Sequence, residues 1–142
     1  MHLANTIQLA YGIPGIITYF IVIYAMHGVE KILNKSFIRI YTLTAAINIA
    51  TWLSSWLSHR LRDEPTFFFY YEWASDHNLF RNILNFLVIH FYSAQNVCVL
   101  LLSFDRYAAI YSISKDMLWW KKYHLIIAAS AHILCLILIL ST

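Results

Sequence analysis

The sequence predicts an all-α membrane protein built as a bundle of four transmembrane helices, and three observations predict it. First, 61% of the 142 residues are hydrophobic and only 12% are charged, about half of the roughly 25% charged residues of a soluble domain. A chain this apolar cannot keep a folded surface wet, so a soluble four-helix bundle fits poorly. Second, four stretches, 7–26, 37–57, 80–104 and 123–140, reach the length of about 20 apolar residues that a helix needs to cross a bilayer core. Third, no Asp, Glu, Lys or Arg occurs in 1–29, 40–59, 82–104 or 123–142. Charge is confined to the gaps. With three glycines and two prolines there is no room for a flexible linker, so residues 1–142 read as one transmembrane domain.

The first span is expected to be retained. A cleaved signal peptide has a basic start and an apolar core of about 7–15 residues, whereas Met1–Val29 has no Lys or Arg and a longer apolar run. Pro14 removes one helical hydrogen bond. With Gly12 and Gly15 beside it, the reading is a kink and a close helix contact. A binding role for Gln8 or Tyr11 is the alternative.

In the second span, Tyr41, Thr44, Asn48, Thr51 and Ser55 fall at i, i+3, i+7, i+10 and i+14, one face of a helix. Lipid cannot satisfy such a stripe, so it faces protein or water. Interhelical hydrogen bonding and a cavity lining both fit.

The second gap, "RLRDEPTFFFYYEW", breaks at Pro65. Its aromatic run, 67–71 with Trp73, is expected to cap the bundle end or lie on the membrane interface; ligand capture at the mouth is the sharper alternative.

The third span is the most polar. At 100° per residue, Asn85, Tyr92, Gln95 and Ser103 share a side with Val88, Val99 and Arg106. That side is expected to point into the bundle, with this helix at the centre. His90 lies nearly opposite and is expected to bond a neighbouring helix. No second histidine stands four residues away, so no metal site is expected. The fourth span carries Ala128, Ala129, Ser130 and Ala131 for close packing, and His132 reads as a packing residue. Cys98 and Cys135 sit in apolar runs and read as buried packing residues, not as a disulfide.

Orientation follows the basic residues. Lys31, Lys35 and Arg39 in the first gap and its flank, with Arg106, Lys115, Lys121 and Lys122 in the third, outnumber Arg60, Arg62 and Arg81 in and beside the second. The second gap also holds Asp63, Glu64, Glu72 and Asp76. The first and third gaps are therefore expected in the cytoplasm, and the N-terminus outside. Trp119-Trp120-Lys121-Lys122 suits an interfacial belt.

The outside N-terminus, short first loop and polar third span ending in Asp105-Arg106-Tyr107 resemble rhodopsin-like seven-helix receptors. No cysteine stands near Arg81, no acid in the second span and no tryptophan within the fourth. The closer resemblance is to the nematode serpentine chemoreceptors of the Srg superfamily, of the Srg or Srv type. It is carried by "QLAYGIP", "NKSFIRIY" and "HFYSAQNVCVLLLSFDRYAAI". The resemblance implies the first four helices of a seven-helix receptor, so the chain is expected to be an N-terminal part or a truncated product.

It also implies a chemical ligand bound from outside, with Asn85, Tyr92, Gln95, Asn48 and Thr51 as candidate cavity lining. It implies signalling to a heterotrimeric G-protein through Arg106, restrained by Asp105 and supported by Tyr107. The expected location is the plasma membrane, by resemblance that of sensory cilia. The alternative is a four-span structural or assembly protein without signalling of its own. Apart from Arg39 and Arg81 at the span ends, no Asp, Glu, Lys or Arg lies inside a span, which weakens a transporter or channel reading. No clustered histidines, Ser-His-Asp set or phosphate loop suggests an enzyme, and no cofactor or nucleic-acid partner is expected.

The orientation is testable at Asn34-Lys35-Ser36, a formal N-glycosylation sequon. A cytoplasmic first loop is never glycosylated, so glycosidase treatment of the expressed protein should leave its gel mobility unchanged. A shift that vanishes in Asn34→Gln would reverse the orientation.

Overall fold

The computed structural model describes residues 3–29, 35–61, 64–111 and 118–141. The sequon residue Asn34 and the charged Lys31, Arg62, Asp63 and Lys115 lie outside them. Helices α1 (Leu3–Gly28), α2 (Lys35–Ser55), α3 (Phe68–Asp76), α4 (Asn78–Tyr111) and α5 (Leu118–Leu140) make up the fold, and no strand occurs among the described residues. Three of them, over Leu3–Gly28, Asn78–Ile110 and Lys122–Leu140, are long and apolar enough to cross a membrane.

The expected second span, α2, does not join that set. Its 21 residues have the length, but Thr42, Thr44, Asn48, Thr51, Ser54 and Ser55 dilute its hydropathy. Its position explains this composition: α2 packs against α1, α4 and α5, so its polar groups meet protein. Thr42, Thr44 and Thr51 each donate to the carbonyl four residues back, at 2.7–2.8 Å. The centre expected of the third span is thus shared. The most extensive helix contact joins α2 to α4.

The third span runs further than its apolar stretch. α4 continues through Asp105-Arg106-Tyr107 to Tyr111, 34 residues in all, because nothing between Asn78 and Tyr111 is a glycine or proline. At about 1.5 Å per residue it outreaches the roughly 30 Å of bilayer hydrocarbon. The face it buries is Ala94, Cys98, Leu101, Asp105 and Ala108, a helical repeat. Leu101 and Ala108 join Ile40 of α2 and Trp120 and Ala128 of α5 in the hydrophobic core. This is the end of the bundle that the charge count assigns to the cytoplasm. Ala128 alone of the small run in α5 is fully buried, while Ala129 and Ser130 face out.

At the opposite end α2 widens into a π turn, Trp56–Arg60, where the Leu61 N–H reaches the Trp56 carbonyl. Pro65 opens a short 3-10 turn that leads into α3. The expectation that the aromatic gap caps the bundle end holds in part. α3 packs on α4, with Trp73 stacked on His77 at 4.6 Å and edge-on to Phe80 at 5.2 Å. Phe68 and Phe69 stay about 70% exposed on the other side. The Tyr70 hydroxyl, whose pKa burial raises, points to the Leu57 carbonyl at 3.5 Å. The N-terminal end of α1 is fastened to the same end of the bundle, where Asn5 donates to Glu64 at 2.8 Å, both side chains buried.

α1 continues through Pro14, and the Pro14 carbonyl accepts the Thr18 hydroxyl at 2.8 Å. The two glycines differ. A Cβ on Gly12 would lie 2.6 Å and 2.8 Å from the Cε2 and Cζ2 of Trp52, whereas one on Gly15 would meet nothing within 4 Å. The indole is rigid and cannot fold aside, so Gly12→Ala should push α1 off α2 and cost about 1–3 kcal/mol, the usual range for overpacking. Gly15→Ala should be neutral or stabilising, since alanine gains about 1 kcal/mol over glycine inside a helix. Unfolding of the two variants in the same detergent checks both, and equal stability would remove Gly12 from the α1–α2 contact.

Candidate functional site

Asn48 sits between two other helices. Its amide nitrogen donates to the Tyr19 hydroxyl of α1 at 2.7 Å, and its amide oxygen accepts from Gln95 of α4 at 2.8 Å. One asparagine side chain thereby ties three helices together. In apolar surroundings each such bond contributes about 0.6 kcal/mol and at most about 2, enough to set the rotation of α2. Beside this chain of amides is a cavity of about 370 Å³ lined by Asn48, Thr51, Tyr92 and Gln95. Gln8 and Tyr19 of α1 line it too, with Trp52, Ser55 and Trp56 of α2 and its π turn.

Four of the five expected lining residues are therefore brought together. Asn85 is not among them. It lies over two helical turns from Gln95, accepts the Ser58 hydroxyl at 2.9 Å, and lines a neighbouring space of about 460 Å³ under α3 with Arg81, Tyr70 and His59. Sequence reasoning missed Trp52 and Trp56, because tryptophan in an apolar run carries no polar signal. The π turn that begins at Trp56 leaves no trace in hydropathy either.

A third space, about 770 Å³ along the α4–α5 seam, is lined by Val97, Leu100, Phe104, Leu134 and other mostly apolar side chains. It offers few groups to discriminate a ligand, and its chemistry is that of the surrounding lipid.

The triplet divides between inside and outside. Asp105 is 2% exposed and accepts a hydrogen bond from the Trp120 indole at 2.8 Å. Arg106 and Tyr107 are exposed. This corrects the expectation that Arg106 points into the bundle, and it gives Asp105 an indole partner. Neighbours in a helix stand about 100° apart and do not face each other. The side shared by Asn85, Tyr92, Val99, Ser103 and Arg106 is the open one, and only Val88 and part of Gln95 on it are covered. Trp119 and Trp120 likewise differ: Trp119 is 44% exposed beside Lys122, while Trp120 is buried against Phe104, ring centres 4.6 Å apart.

His132 approaches the buried Cys98 thiol, with Nε2 to Sγ at 3.7 Å. Both cysteines are free thiols. His90 differs from expectation, for it stacks on Phe86 of its own helix and its Nδ1 is buried without a partner. Among the described residues no three His, Cys, Asp or Glu side chains gather to hold a metal ion.

Long apolar helices around a polar seam and cavity define an α-helical integral membrane protein. The sequence model of the Srg family chemoreceptors matches residues 5–141, and the chain belongs to that family. Searches of curated proteins and of solved structures return no match.

The Asp105–Trp120 bond can be tested by Trp120→Phe, which keeps an aromatic ring but removes the donor and leaves a buried carboxylate short of a partner. A loss of about 1–3 kcal/mol is expected, read by unfolding in micelles. Asp105→Asn keeps an acceptor and should lose less. If Trp120→Phe unfolds like the unmodified protein, the bond contributes nothing.

Proposed function

We propose that this chain is the four-helix part of a seven-helix chemosensory receptor. It would sit in the plasma membrane with its N-terminus outside, bind a small chemical from that side, and signal to a heterotrimeric G-protein. The match to the Srg family chemoreceptors over residues 5–141 carries the reading. In it α2 is the fourth membrane-crossing helix, shielded from lipid by α1, α4 and α5. The cavity at Asn48, Thr51, Tyr92 and Gln95 lies toward the end of α2 from which the first loop's basic residues are absent, which supports entry from outside.

Arg106 is assigned the coupling role. It is exposed four turns of helix beyond Tyr92, near the cytoplasmic end of α4. A guanidinium always carries its charge and presents a planar fork of donors, suited to acceptors on a docked partner. Asp105, held by Trp120, anchors the helix from which Arg106 projects, and Tyr107 stands beside it.

Arg106→Ala in the full-length receptor tests the assignment. Surface expression and ligand binding should persist, while ligand-driven nucleotide exchange on the G-protein should fall about 5–150-fold, the usual span of a coupling free energy. Undiminished exchange would remove Arg106 from that role. Membrane insertion without any ligand response in the unmodified receptor would favour a structural or assembly protein.

A further inference from the structure

The space of about 460 Å³ under α3 has a wall of one sign. Arg81 is the only permanently charged side chain that lines it, and Glu72 and Asp76 of α3 do not. The Arg81 guanidinium donates to the Asn78 side-chain oxygen at 2.9 Å and pairs with no acid among the described residues. A guanidinium has five N–H donors, so most of its fork stays open. Arg81 also stands in the first turn of α4, which holds no acid. The backbone N–H groups at a helix start carry partial positive charge, which favours an anion and disfavours a cation. Guanidinium and helix start therefore add their potentials at one edge of the space.

Asn85 follows Arg81 by four residues, so the two are neighbours on one face of α4. Its amide oxygen accepts the Ser58 hydroxyl at 2.9 Å, and its amide N–H groups remain as donors. The Ser75 hydroxyl is turned to the Glu72 carbonyl at 2.7 Å, and that of Tyr70 to the Leu57 carbonyl. His59 lines the space too and offers an N–H in either charge state. Leu57, Ala74 and Leu84 supply apolar surface between these groups. The volume is within the usual range of ligand pockets, about 300–1,000 Å³.

We propose that this space binds a small organic carboxylate with an apolar or aromatic body, Arg81 taking the carboxylate through two N–H groups and Asn85 adding a donor. The planar fork matches both carboxylate oxygens at once, whereas the corresponding amide offers one acceptor and no charge. The site is separate from the cavity beside Asn48, and it stands whether or not the chain signals.

Phenylacetate, phenylacetamide and phenethylammonium test it on the full-length protein in phosphatidylcholine nanodiscs. Binding is read by saturation-transfer NMR titration, with empty nanodiscs subtracted. Phenylacetate should bind about tenfold more tightly than the amide, the effect of one charge-assisted hydrogen bond, and the ammonium should not saturate. Arg81→Gln should bring the acid down to the affinity of the amide and leave the amide unchanged. Arg60→Gln, which removes a charge from the same gap but not from this wall, should leave the preference intact. The comparison of acid with amide on the unmodified protein needs no variant. No preference for the acid, saturable binding of the ammonium, a preference that survives in Arg81→Gln, or an equal loss in Arg60→Gln would each overturn the proposal. So would loss of the preference when a tenth of the lipid is phosphatidylglycerol, which would assign Arg81 to a lipid headgroup.

Discussion

Hydrocarbon offers no hydrogen bonds, and the rest of the structure follows from that constraint. A polar side chain carried into the bilayer is stabilised by a partner on its own helix or on a neighbour. The hydroxyls of Thr18, Thr42, Thr44, Thr51 and Ser103 use the first route, each bonding a carbonyl one turn back. The amides of Asn48 and Gln95 are too long for it and use the second. An amide has to be met by another long polar group, so α1, α2 and α4 are brought to one rotation and one depth. The least apolar of the four long helices is then the one in the middle, packed against the three that are long and apolar enough to span.

The same constraint explains why the two ends of the bundle differ. At one end Ile40, Leu101, Ala108, Trp120 and Ala128 fill the space between α2, α4 and α5. Asp105 there accepts a hydrogen bond from the Trp120 indole. At the other end the space is wider. Trp52 lies against Gly12 of α1, the π turn follows Ser55, and α3 lines the neighbouring space with Arg81 and Asn85. Small residues let α2, α4 and α5 meet closely at one end, and the polar cavity beside Asn48 lies toward the other.

Much of this was legible in the sequence. The lengths of the apolar runs, the i, i+3, i+7 stripe from Tyr41 to Ser55 and the break at Pro65 all act locally, and each reappears in the fold. The stripe pointed to Asn48 and Thr51 because lipid exposure would strand their polar groups. What escaped depended on partners distant in sequence. Hydropathy alone could not reveal that α2 owes its polarity to a central position. The wheel of α4 grouped Asn85, Tyr92, Ser103 and Arg106 correctly on one side, but periodicity does not say which side is buried. The small and apolar residues Ala94, Cys98, Leu101 and Ala108 won the contact because they let α2 and α5 approach closely. Asp105 followed them inward because Trp120, fifteen positions on, supplies its donor. Asn85 separated from Gln95 simply because ten residues of helix span about 15 Å.

That same rise connects the two polar sites mechanically. Gln95 and Asp105 are ten residues apart on one helix with no glycine, proline or break between them, so α4 acts between them as a rod. Each end is held by a directional bond to a different neighbour, Gln95 to Asn48 of α2 and Asp105 to Trp120 of α5. A rod pinned in this way resists rotation, because turning it to favour one bond strains the other. Under the proposed receptor function, a molecule seated beside Asn48 and Gln95 would act on the element that carries Arg106, and only through the difference in its contacts between two rotations of α4. The coupling such an arrangement can carry is bounded by its two pins. Two hydrogen bonds of about 1 kcal/mol each allow a shift of one to two powers of ten in a rotational equilibrium, which is the scale on which ligand-driven switches operate.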